Sequence, residues 1–81
     1  MDFVKSIIDN WDPIGLLFYA PNDEYHSEIC EIQHLLKSTD NYLELAEGIY
    51  NVFVESFGKE IFVQSKEECE LIAKTLLYQK N

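Results

Sequence analysis

His26, Cys30 and His34 recur at intervals of four residues. Neutral imidazole and thiolate suit zinc, and two such groups one helical turn apart can share an ion. Three of them spread over two turns, a rise of ~12 Å, so all three do not easily reach one metal. They read as ordinary flanking residues of a helix, and no metal site is assigned. Carboxylates are the other chemical resource. Asp40, Glu44, Glu47 and Glu55 fall along one side of a helical stretch. Divalent ions need oxygens converging from several elements. A line along one helix is a solvated face, or a docking surface for a basic partner. Asp12, Asp23 and Glu24 are most simply helix caps. Together with His26 they are the set from which a small metal-dependent protein or enzyme would be built. The chain has no phosphate-binding glycine loop, nucleophile elbow, His-Glu-x-x-His or Cys-x-x-Cys. No catalytic residue and no cofactor is assigned, and a non-enzyme is expected.

The stretch from Trp11 to Pro21 has prolines near both ends and Gly15 inside, which marks a connection. Connections are normally polar and run over the surface. This one holds Trp11, Ile14, Leu16, Leu17, Phe18 and Tyr19. It must pack onto a core, cover a ligand or meet another protein. Asp12 followed by Pro13 suits the start of a short helical turn, because proline at the first helical position loses no hydrogen bond. Trp11, Ile14 and Leu17 are expected to plug one end of a helical core. The alternative is an exposed apolar patch that marks an interaction site.

Four helices are expected to position these residues. Residues 2 to 10 put Phe3, Val4, Ile7, Ile8 and Trp11 on one face. A second helix opens near Pro21-Asn22-Asp23-Glu24, with Asn22 as its cap. Its stripe is Tyr25, Ile29, Ile32 and Leu36, with Glu24, Ser27, Glu28 and Glu31 pointing away. Ser38-Thr39-Asp40-Asn41 is a short turn, which makes the flanking helices antiparallel neighbours. The third helix, about 41 to 57, carries the widest apolar face: Tyr42, Leu45, Ala46, Ile49, Val52, Phe53 and Phe57. Gly48 weakens it by up to ~1 kcal/mol relative to alanine, and a close helix crossing is one explanation. Gly58 is placed as its C-terminal cap. Ile61-Phe62-Val63 has no second strand to pair with and reads as an irregular or single-turn link with Phe62 buried. Ser65-Lys66-Glu67-Glu68 is a capping box that opens the last helix, which runs to about 79. Cys69, Ile72, Ala73 and Leu76 face one way, with Leu77 at the flank. Leu71 and Tyr78 point the other way, toward a second buried side or a partner.

Composition narrows the function classes. The 81 residues make one domain, 1–81, with 47% hydrophobic residues and so enough apolar surface for a core. No apolar run approaches the roughly 20 residues that cross a bilayer. Met1-Asp2-Phe3-Val4-Lys5 lacks the basic start of a signal peptide, and a cytoplasmic location is expected. Fifteen acidic residues against six basic ones give a net charge of −9, and every basic residue is a lysine. Without arginine the chain makes no bidentate contact to phosphate or guanine, and its field repels polyanions. Nucleic acid and anionic membranes are therefore not expected as partners; a basic protein is favoured. Cys30 and Cys69 are expected to be buried, reduced thiols rather than a disulfide framework.

One pattern goes beyond composition. Trp11-Asp12-Pro13-Ile14-Gly15-Leu16 is followed by Pro21-x-Asp23-Glu24-Tyr25 and Glu28-Ile29. Then come Glu44-Leu45-Ala46 with Ile49, Ser56-Phe57-Gly58, and Ser65-Lys66-Glu67-Glu68-Cys69. In these residues the chain resembles the YugE-like family of short bacterial proteins, a domain of unknown function. The likeness covers essentially the whole chain. It implies an all-helical fold and carries over no catalytic residue. A looser likeness is to small bacterial proteins of immunity or antitoxin type.

The expectation is thus an all-α, compact bundle of about four helices with an apolar connection after the first. Its expected function is a non-enzymatic protein-interaction module. Its partner surface is expected at Trp11, Ile14, Leu16, Phe18 and Tyr19, or at Glu44, Glu47 and Glu55. An immunity-like or antitoxin-like inhibitor of a basic partner is a specific form of that reading. The chain is expected as a monomer or a weak homo-oligomer that uses Leu71, Tyr78 or the connection.

Overall fold

Asn41 starts the longest helix by accepting hydrogen bonds on its side chain from the backbone N–H groups of Leu43 and Glu44. This satisfies two of the four donors that a helix start leaves open. The computed structural model describes residues 3–13 and 25–80. Within them lie four helices: α1 (Phe3–Trp11), α2 (His26–Ser38), α3 (Tyr42–Phe57) and α4 (Lys66–Lys80). No strand occurs among the described residues. The protein is a small all-α bundle in which α1 and α3 each pack against both α2 and α4.

Each helix buries the stripe its spacing dictates. Val4 and Ile8 of α1 are buried, with Phe3, Ile7 and Trp11 packed against the core. Tyr25, just ahead of α2, and Ile29, Ile32 and Leu36 on it are all buried. Leu45, Ala46, Ile49 and Phe53 face them from α3, and Cys69, Ala73, Leu76 and Leu77 close the core from α4. The polar side of α3 is exposed at Glu44, Glu47, Asn51 and Glu55, as an amphipathic helix requires.

The ends follow their local chemistry. Asp12 takes the left-handed conformation, φ 46°, and its N–H bonds the Ile8 carbonyl at 2.9 Å, which closes α1. A short polar side chain is among the few that visit this region routinely. Gly58, φ 86°, ends α3 with its N–H on the Val54 carbonyl. The Ile61 and Phe62 N–H groups return to the Gly58 carbonyl, so this link is a single turn. Phe62 is buried there, with Ile61 and Val63 exposed on either side of it. The Ser65 hydroxyl accepts from the Glu68 N–H at 3.1 Å and starts α4.

Three expectations are corrected. α2 begins at His26 rather than near residues 21–24, and the side chain of Tyr25, which precedes it, makes no capping bond; Tyr25 is committed to the core, and Asn22 lies outside the described residues. Glu28 does not point away but is 7% exposed. It stands three residues after Tyr25 and four before Ile32, which puts it on the buried stripe itself. In the first turn of α2 its charge complements the helix dipole. Cys30 is exposed, whereas Cys69 is buried as expected.

Candidate functional site

Six aromatic rings meet where α1 ends and α4 is about to begin. Trp11 stands edge-on to Phe53 and to Phe62 at centroid distances of 5.7 and 6.1 Å. Phe53 stacks on Phe62 at 5.3 Å, Tyr50 packs edge-on to Phe62, and Tyr25 edge-on to Phe53 and Phe57. The Tyr25 hydroxyl donates to Asp12 Oδ1 at 2.6 Å. Gln64 Nε2 donates to the Pro13 carbonyl at 3.2 Å. The residues at both ends of the apolar connection are thus tied to the core. Trp11 is half-buried in this cluster and packs against the core. Ile14, Leu16, Leu17, Phe18 and Tyr19 lie outside the described residues, as do Asp23 and Glu24.

The residues considered for metal chemistry are dispersed. His26 is exposed, with its Nε2 3.9 Å from the Cys30 sulfur on the outer edge of α2. Asp12 is engaged by Tyr25 on the other side of the α2 start. Among the described residues no group of three or more His, Cys, Asp or Glu side chains is placed to hold a metal ion. Burial pushes the Cys69 thiol up to about 11, with the neighbouring Glu68 and Glu70 carboxylates adding to the shift. A thiol held this firmly protonated is a poor nucleophile.

The acidic side of α3 has a different character. Lys80 Nζ bonds the Leu36 carbonyl and pairs with Asp40, and Lys5 pairs with Asp9. Lys66 and Lys74 lie over the rings of Tyr50 and Tyr42, at 5.4 and 4.6 Å. Four of the six lysines are thereby held elsewhere, and among the described residues none pairs with Glu44, Glu47 or Glu55.

Beside this stripe runs an open groove between α2 and α3, with a volume of about 430 Å³. Leu35, Gly48 and Val52 form its apolar part, with Glu31 and His34 on the α2 side and Asn51 and Glu55 on the α3 side. Gly48 sets the closeness of the two helices, since a Cβ there would stand 2.6 Å from Leu35 Cδ1. Helical spacing showed the stripe of α3. The groove was not legible, because it depends on which part of α2 lies against Gly48.

Fold and site together define a small all-α bundle with an unpaired acidic helix face bordering an apolar groove. The chain belongs to the family described as "Domain of unknown function (DUF1871)", whose model matches residues 3–81. Comparison with curated proteins and with solved structures finds no match. No helix among the described residues is long and apolar enough to cross a membrane.

Proposed function

We propose that this domain is a non-enzymatic protein-interaction module whose partner presents basic side chains. The observation that carries the reading is the unpaired carboxylate stripe Glu44, Glu47 and Glu55, exposed on α3 while four of the protein's six lysines are engaged elsewhere. Leaving like charges along one face costs self-repulsion, which a cationic partner relieves. Such a face also accelerates and orients encounter. The apolar connection, with Ile14, Leu16, Phe18 and Tyr19 beside Trp11, is the second part of the proposed contact surface. A cytoplasmic setting belongs to this reading, as does the narrower likeness to the YugE-like group. An immunity-like or antitoxin-like inhibitor that covers a basic toxin surface is its most specific form.

The test is affinity capture from lysate of the source organism, comparing wild type with Glu44→Lys/Glu47→Lys and with Phe18→Ser. A stoichiometric basic partner that is lost in one variant supports the module and locates its face. A partner retained by both variants, or no partner beside a stable monomer, overturns it. For the inhibitor form, co-expression with the captured partner relieves that partner's toxicity; absence of protection refutes that form.

A further inference from the structure

We infer that the groove between α2 and α3 receives one apolar side chain from a basic amphipathic segment of a partner protein. This rests on the interaction-module reading and names its contact face and the kind of segment it takes. Leu35 and Val52 supply apolar surface on either side of Gly48. Gly48 keeps the floor where it is, because any side chain at this position would displace Leu35. The volume, about 430 Å³, accommodates a large aliphatic or aromatic group.

Two arguments select the occupant. The groove lies open between two helices, whereas a small-molecule site encloses most of its ligand. An open apolar groove suits a segment whose own chain covers the opening. Charge then fixes the kind of segment. Glu31 and Glu55 stand on opposite sides of the groove, and no lysine lines it. Cationic side chains flanking the apolar anchor meet both carboxylates at once. A second copy of this chain is a poor occupant, because it brings another −9 of charge and sets carboxylates against carboxylates.

The probe is a synthetic helical peptide with one leucine flanked by lysines at helical spacing, titrated into the isotope-labelled protein. The expected result is amide shift changes centred on Leu35, Gly48 and Val52. Replacing the peptide's leucine by serine weakens binding roughly tenfold or more, and so does Glu31→Lys/Glu55→Lys in the protein. Glu60→Lys/Glu67→Lys makes the same change in net charge away from the groove and leaves affinity within about twofold. All four glutamates are exposed, so these variants keep the fold. Equal loss in both double variants, or equal binding of the leucine and serine peptides, overturns the groove in favour of general charge attraction. Failure here is separable from failure of the module. If the captured natural partner depends on Glu44 and Glu47 but not on Glu31 and Glu55, the groove is overturned and the module stands.

Discussion

The Tyr25 hydroxyl reaches across thirteen positions of sequence to donate to Asp12 Oδ1 at 2.6 Å. This bond joins the residue that closes α1 to the residue that precedes α2, so it ties together the two ends of the apolar connection. It gives a physical reason for Trp-Asp-Pro and Asp-Glu-Tyr to occur together. One half supplies an acceptor in a left-handed turn, and the other supplies a donor on a fully buried ring.

Removing the donor isolates that contribution. Tyr25→Phe keeps the ring contacts with Phe53 and Phe57 and leaves the Asp12 carboxylate short of one bond. The expected loss is about 1.5–3 kcal/mol, the range for a hydrogen bond to a charged group. Urea unfolding checks this as a lower midpoint with an unchanged slope. A double-mutant cycle with Asp12→Gly, which removes the acceptor and tolerates the left-handed backbone, should show coupling of about 0.5–3 kcal/mol; additive losses would mean the bond contributes nothing of its own.

Gly48 poses a contest between two effects of similar size. Gly48→Ala gains up to ~1 kcal/mol of helix propensity but forces Leu35 off its rotamer at about 0.5–1.5 kcal/mol. The single variant should therefore lie within about 1 kcal/mol of wild type. In a Leu35→Ala background the opposing atom is gone, and the same change should be stabilising by the full propensity gain. Thermal melts of the four proteins decide it.

Lys80 makes three contacts of unequal worth, the longest to the Thr39 carbonyl at 3.5 Å. Its ammonium donates to the part-buried Leu36 carbonyl at 2.6 Å and pairs with the exposed Asp40 at 2.9 Å. Lys80→Met should cost about 1–3 kcal/mol and speed amide exchange in the last turn of α2. Asp40→Asn should cost at most about 1 kcal/mol, since exposed ion pairs contribute little. Equal losses would show that the surface pair is what matters.

Cys69 gives the protein an alkaline limit. Its folded-state pKa is raised from 9.0 to about 11, so the folded chain holds this proton more tightly than the unfolded one. The stabilisation is complete below the unfolded value and is lost as pH rises through the folded value. Urea melts between about pH 8 and pH 10.5 should show a steeper loss for wild type than for Cys69→Ala. At neutral pH a thiol reagent should modify exposed Cys30 and spare Cys69 until the protein unfolds; simultaneous reaction would contradict this burial.

Phe62 carries more weight than its short link suggests. It stacks on Phe53 and stands edge-on to Trp11 and Tyr50. Phe62→Ala should cost about 3–5 kcal/mol, a large part of the roughly 5–15 kcal/mol that holds a small domain together. A red shift of Trp11 fluorescence with loss of helical circular dichroism is the expected readout.

The all-α class, the four helices and most of their buried faces were legible in the sequence, because the spacing of Val4 and Ile8, of Ile29 and Ile32, and of Leu45, Ile49 and Phe53 is a property of single helices. Caps at Gly58 and Ser65 were legible for the same reason: they satisfy backbone groups within a few residues of themselves. The burial of Glu28 was legible in principle, since its place on the Tyr25–Ile32 stripe follows from spacing. What only the tertiary structure decided are relations between elements. That Tyr25 bonds Asp12, that Lys80 caps α2 from the far end of α4, and that Gly48 admits Leu35 each depend on which helix lies against which. The groove arises in the same way. Its carboxylates come from two helices, and neither helix alone specifies that Glu31 and Glu55 will line one groove. Local periodicity states which side of a helix turns inward; the neighbour it meets there is fixed by the packing of the whole core.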